Sequence, residues 1–137
     1  MTARKLQSGR TRPFDKSDTA LVLIDPQNDV LSERGANWDA VKASVQDNRT
    51  VDNIERLLRA AKERDYPVFI SPHYFFPTDH EWHFDGPLES IEFSNNSFAR
   101  KGPLTIDGFA DSGADWLPRF KAYIDDGRTV VVRHQMI

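Results

Sequence analysis

Five apolar residues in succession, Ala20, Leu21, Val22, Leu23 and Ile24, form the most continuous hydrophobic stretch of the chain. The run is far too short for a membrane span but has the length of a strand, and its lack of alternation predicts burial on both faces. It stops at Asp25-Pro26. Proline cannot donate to a neighbouring strand and biases the residue before it towards extended backbone, so Asp25 is predicted at the carboxyl end of a strand over about residues 19–24. From Thr50 to Asp65 the period changes, and Val51, Ile54, Leu57, Leu58 and Ala61 recur at the spacing of an amphipathic helix. Asp47, Asn48 and Thr50 are candidate N-caps. Asp52 with Arg56 and Glu55 with Arg59 stand four apart, acid first, the order helices favour. Pro67 ends this helix, and Val68, Phe69 and Ile70 follow as a second short buried strand, completing a βαβ unit with a right-handed crossover.

A second helix is predicted from about Ala114 to Asp125, with Trp116, Phe120, Tyr123 and Ile124 on one face. Ser112 is its candidate cap, Pro118 is tolerated near its first turn, and Asp126-Gly127 terminates it. Thr129 to Val132 reads as a third buried strand. The elements together predict an α/β fold, a parallel sheet with flanking helices. Between them, residues 1–18 are a polar lead-in without a period, and the segment after Asp29 to Asn48 is a loop with a short helix around Trp38, Val41 and Val45. Residues 71–112 are too many for an ordinary connection and too rich in aromatics for disorder. They predict an ordered excursion over the strand ends, serving as a lid or an oligomer contact, with a short helix starting at Pro87 and carrying Leu88 and Ile91.

Composition narrows the field. The 137 residues, 39% of them hydrophobic, fit one globular domain. No apolar stretch approaches the roughly 20 residues of a membrane span, and the N-terminus lacks the apolar core of a secretory signal, so a cytoplasmic protein without membrane contact is expected. A net charge of −3, from 18 basic and 21 acidic residues, makes no case for nucleic acid. The charges cluster all the same, basic in residues 1–18 and acidic in 79–92, as a tail and a surface loop or as binding patches. The absence of cysteine excludes disulfides, thiolate metal sites and thiol nucleophiles within this chain.

An acid at a strand end either caps the following loop or does chemistry, and in parallel α/β sheets that edge is where ligands bind. The hexapeptide Ile24-Asp25-Pro26-Gln27-Asn28-Asp29, after its aliphatic run, resembles the first-strand signature of the isochorismatase-like cysteine hydrolases. SPHYFFPTDHEW at 71–82, with GPLE and RKGPL after it, resembles a long-lid branch of that family, and the likeness covers roughly Thr19 to Val132. It implies a Rossmann-type three-layer fold whose six strands run in the order 3-2-1-4-5-6, of which this chain would supply strands 1–3 as an incomplete domain over 19–137 with its lid at about 71–112. Strand 1 would then be an apolar edge, so a homo-oligomer or another partner covering it is expected.

The family works with an aspartate, a lysine and a cysteine, and the resemblance implies that Asp25 is the acid/base member. Gln27, Asn28, His73, Tyr74 and Phe75 are the candidate substrate-binding residues, with core packing the alternative for the two aromatics. The lysine would follow the third strand, where this chain has Arg133 and His134; a guanidinium keeps its proton and cannot exchange it as a lysine does. Lys101 and Lys121 are the nearest lysines in sequence. Nicotinamidases, relatives with the same first-strand motif, hold a metal on an Asp-x-His after strand 2; here that tripeptide is Ser71-Pro72-His73. His73, His80 and His83 would ligate a metal or hydrogen-bond within the lid, and no metal or cofactor is expected.

The implied parent reaction is cysteine-dependent hydrolysis of a small-molecule substrate, an amide, ester or vinyl ether. This chain is expected to be the N-terminal part of such a hydrolase and inactive alone, the closing RHQMI leaving the family pattern as a frameshift would. The alternative is a non-catalytic small-molecule-binding or subunit-interaction module of the same fold. A nucleotide-binding domain would want a glycine-rich turn where Asp25-Pro26-Gln27-Asn28 stands.

Overall fold

A computed structural model of the chain describes residues 14–83 and 86–132. Most of the predicted lead-in, Phe84 and Asp85, and Arg133 with the rest of the RHQMI segment lie outside the described residues. Strand β1 (Leu21–Ile24) is followed by helices α1 (Asn28–Leu31), α2 (Trp38–Asp47) and α3 (Thr50–Glu63), then by β2 (Val68–Ser71). After a 3-10 turn at Pro77–Glu81 come α4 (Pro87–Asn95), α5 (Pro118–Ile124) and β3 (Val130–Val131). The three strands form one parallel sheet in the order β1-β2-β3, with Leu21 opposite Val68, Ile24 opposite Ser71 and Phe69 opposite Val130. The α/β class and the parallel sheet with flanking helices are those the sequence predicts.

The direction of the sheet decides what is buried. Both crossovers, through α3 and through α5, step the same way, and right-handed connections that step one way put their helices on one face. α3 and α5 accordingly pack on each other, and Leu58, Ala61, Val68, Ile70, Phe120 and Ile124 form the core between them and the sheet. The opposite face stays open. β1 is therefore not buried on both faces as its unbroken apolar run predicts; it alternates, with Val22 57% and Ile24 69% exposed. β3 is shorter than predicted and half-exposed as well, with Val130 on the open face. Among the described strands β1 is an edge.

The helices depart from expectation where chain neighbours intervene. The predicted loop after Asp29 holds a ten-residue helix, α2, whose Trp38, Val41 and Val45 do turn to the core. α2 runs almost directly into α3, so Asn48 closes α2, donating Nδ2 to the Ser44 carbonyl at 2.8 Å, and caps nothing at the start of α3. Glu55 and Arg59 pair as predicted at 2.9 Å, whereas Asp52 is taken by Arg119 of α5 at 3.0 Å, not by Arg56. The helix predicted from Ala114 begins at Pro118 instead. Proline fits the first helical position but excludes the residue before it from helical backbone, so Leu117 is non-helical and Ser112 caps no helix. Lys62 of α3 pairs with Asp126 at 2.7 Å and fixes the turn into β3.

The described residues of the 71–112 segment are held by hydrogen bonds and ring contacts. Phe75 and Ala99 bridge in parallel, the Phe75 N–H donating to Phe98 O at 3.0 Å and the Arg100 N–H to Phe75 O at 2.8 Å. Asp79 is buried and accepts the Phe76 N–H at 2.8 Å, closing the 3-10 turn. α4 starts at Pro87 as predicted, with Leu88 and Ile91 facing solvent and Glu92 buried. No helix among the described residues is long and apolar enough to cross a membrane.

Two adjacent leucines of α3 test this packing. Leu58 is fully buried and Leu57 is 53% exposed although the sequence pattern groups them. Leu58→Ala is expected to cost about 2–5 kcal/mol and Leu57→Ala about 0.5 kcal/mol in urea denaturation. Equal losses would mean that α3 presents a different face to the sheet.

Candidate active site

Asp25 stands where β1 leaves the sheet, its N–H still in the ladder with Ser71 O at 3.0 Å. Its φ is 50°, in the left-handed region, and not the extended backbone that the following proline predicts. Few side chains other than glycine sit there without strain, although aspartate does so more readily than most. The turn sends the chain from the sheet edge straight into buried Pro26 and Gln27. Burial pushes the Asp25 carboxyl above its ordinary value, and the nearby His73 opposes that rise. Burial also raises Glu92, and the charge of Asp25 raises it further. His73 Nε2 lies 3.9 Å from Glu92 Oε2, and the imidazole stacks on Phe98 with ring centroids 5.0 Å apart. Asp25, His73 and Glu92 are thus one electrostatic group at the carboxyl edge of β1 and β2. Two acids whose titration is raised, set around an imidazole, make a cluster of titratable groups at the strand ends.

Glu92 escapes a reading of the sequence because the buried side of α4 is Glu89, Glu92 and Phe93. Two of those three are acids, so apolar spacing points to Leu88 and Ile91 instead.

The rest of the first-strand motif holds the site together. Gln27 is fully buried, and its side-chain amide donates to His73 O and Ala114 O, each at 2.8 Å, while Oε1 accepts the His73 N–H at 2.7 Å. Asn28 donates Nδ2 to Ser112 O at 2.8 Å and its backbone N–H to Asp115 O at 2.8 Å. Asp29 is buried and accepts the N–H of Phe98 at 2.6 Å and of Ala36 at 3.0 Å. A Cβ on Gly113 would fall 2.0 Å from that carboxylate, so only glycine fits. Of the two candidate ligand contacts in this stretch, Gln27 has its amide wholly engaged by the chain, and the Asn28 amide holds the 112–115 loop.

His73, Tyr74, Phe75 and Phe76 alternate. His73 and Phe75 turn to Phe98 and Phe93, whereas Tyr74 and Phe76 turn to a cavity of about 460 Å³ shared with Arg100, Thr105 and Ile106. The three candidates His73, Tyr74 and Phe75 therefore do not share one wall. His80 packs on Phe93 at 4.5 Å, and His80 and His83 are exposed. Among the described residues no three His, Asp or Glu side chains come together as a metal site. Lys121 is committed to Asp115 at 2.6 Å and Asp111 at 3.3 Å.

Gln27→Ala leaves three interior backbone groups without partners and is expected to cost about 3 kcal/mol by chemical denaturation. A loss under about 1 kcal/mol would show that water replaces the amide. The raised carboxyl of Asp25 makes a second prediction. A carboxyl that titrates higher in the fold adds stability fully below its ordinary value, near 3.8, and loses it as pH rises through the raised value. Asp25→Asn, neutral throughout, should therefore raise Tm relative to the parent at about pH 7 and leave it unchanged at about pH 3. A Tm difference that is constant across this range would contradict the raised titration.

A family model described as the isochorismatase domain matches residues 19–136, from the start of the first apolar run through the third strand. No curated protein matches the chain. The match spans the described sheet, the Asp25, His73 and Glu92 group at its edge and the knot of Gln27, Asn28 and Asp29 behind it, and with that extent the chain belongs to the isochorismatase family.

Proposed function

We propose that this chain carries the acid/base half of an isochorismatase-type hydrolytic site, with Asp25 as the proton-transferring group and His73 and Glu92 setting its charge. The observation that supports this most is the position of Asp25, half-buried at the end of β1 with its carboxyl pushed up by burial and facing an imidazole. Gln27 and Asn28 serve the site through the backbone they hold, keeping His73 and the 112–115 loop in place. The parent reaction is hydrolysis of a small amide, ester or vinyl ether. The chain has no cysteine to attack such a substrate and no lysine among the described residues beside Asp25, so the reading makes it inactive alone. Residues that act as a unit lose nearly all their effect singly.

A second reading, a non-catalytic binding or subunit-interaction module, draws on the open sheet face. Val22 and Ile24 lie exposed on an edge strand, where a second copy or another partner would pair.

The test mixes this chain with a C-terminal half from a family member that carries the lysine and the cysteine, and follows acid and ammonia release from small amides and esters. Neither half alone should turn substrate over, the mixture should, and Asp25→Asn should abolish the gain. A mixture that associates but stays inactive would sink the hydrolytic reading. A soluble oligomer of this chain that dissociates on Ile24→Lys would favour the module.

A further inference from the structure

The cavity beside Tyr74 holds a charged side chain that the hydrolytic reading leaves without a use. Arg100 is half-buried there, with its guanidinium carbon 4.6 Å from the Tyr74 ring and 4.5 Å from the Phe109 ring. The two rings meet edge to face, so the cation sits in the corner between them. Nη2 donates to Thr105 O at 2.8 Å, and Nε is buried without a hydrogen-bond partner. Arg100 makes no ion pair with any described residue. The contrast with the other cations packed into the fold is sharp, since Lys62 has Asp126, Lys121 has Asp111 and Asp115, and Arg119 has Asp52 and Glu55. A guanidinium keeps its charge at any physiological pH, so a half-buried one without a counter-charge is a standing acceptor for an anion.

The surroundings limit what that anion is. The cavity, about 460 Å³, is walled by Tyr74, Phe76, Val131 and Val132 and rimmed by Leu104 and Ile106, which are 89% and 80% exposed. Two large apolar side chains held in water at a cavity mouth gain from any apolar body seated beneath them. The Tyr74 ring lies against the Arg100 guanidinium, and burial pushes the phenol's titration up to about 12. It stays protonated and retains a hydrogen to donate. One guanidinium and one phenol suit the two oxygens of a carboxylate, whereas phosphate would want more donors than this cavity offers.

We propose that this cavity binds a small organic carboxylate with an apolar body. The carboxylate lies against Arg100 and the Tyr74 hydroxyl, and the body lies on Phe76, Val131 and Ile106. The site does not include Asp25, and it stands whether or not the hydrolytic reading does.

Benzoate, benzamide and inorganic phosphate are the probes, titrated into the full chain and followed by calorimetry and by NMR shifts of Arg100, Thr105 and Ile106. Benzoate should bind saturably, with benzamide at least about tenfold weaker because it has the same body without the charge, and phosphate weaker still. Arg100→Gln should remove benzoate binding. Because that change also removes the contacts with two rings and Thr105, Tyr74→Phe and Ile106→Ser serve as variants that leave the guanidinium in place. Each should weaken benzoate several-fold while circular dichroism stays unchanged. Equal binding of benzoate and benzamide, no saturation below about 20 mM benzoate, or full affinity in both Tyr74→Phe and Ile106→Ser would overturn the proposal and leave Arg100 as a strut for its own loop. Phosphate binding as tightly as benzoate would also overturn it, in favour of a general anion site.

Discussion

One side-chain amide joins three parts of this molecule that are far apart in sequence. Gln27 reaches 46 positions along the chain to His73 and 87 positions to Ala114, and it satisfies all three interior backbone groups that it meets. Buried backbone polar groups must find partners, and here the loop after β1, the loop after β2 and the approach to α5 find theirs in one residue. Asn28 and Asp29 extend the join to Ser112, Asp115, Ala36 and Phe98. Gly113 lets the strands of this knot close up, because any larger residue would meet the Asp29 carboxylate. The motif that begins with a candidate catalytic aspartate is, over its remaining length, the fastening of the 71–112 excursion to the sheet.

That fastening is what gives Asp25 its electrostatic company. His73 arrives beside it because Gln27 grips the His73 backbone on both sides, and Glu92 arrives because α4 lies with its acidic side inward. Phe98, anchored by Asp29, supplies the flat surface against which the imidazole stacks. A single carboxylate at a strand end thereby acquires a neighbouring base, a neighbouring acid and a partly dry surrounding. Of these, the dry surrounding moves the carboxyl's titration up and the imidazole opposes that rise.

The fold confers a second, opposite property on the same strand. Because the sheet advances in one direction only, its helices share one face, and the open face carries Val22, Ile24 and Val130. Among the described strands β1 is an edge, so the strand that ends at Asp25 also presents exposed apolar side chains at the rim of the sheet.

Residues 20–24, 50–63 and 68–71 are legible in the sequence because local periodicity and proline punctuation act within a few residues, and so is the helix start at Pro87. The α/β class follows from their alternation, and Asp25 at a strand end follows from the motif. Other features depend on what lies across space. An apolar run cannot tell that one of its faces has no neighbour, so β1 reads as buried when Ile24 is not. Asp52 cannot announce that Arg119 will outbid Arg56, nor Asn48 that it will close the preceding helix. Leu117 and Trp116 read as helix by spacing, but the Gln27 bridge and Pro118 hold them extended. Glu92 and Arg100 look like surface charges in sequence; only the packing of the excursion makes them interior. The sequence by itself determined the first two strands, α3 between them, the start of α4 and the placing of Asp25 at a strand end, since those are local consequences of side-chain period and backbone restriction. Only the tertiary structure decided which faces are covered and which charges share a site, because burial and electrostatic neighbourhood belong to pairs of residues that the chain brings together from a distance.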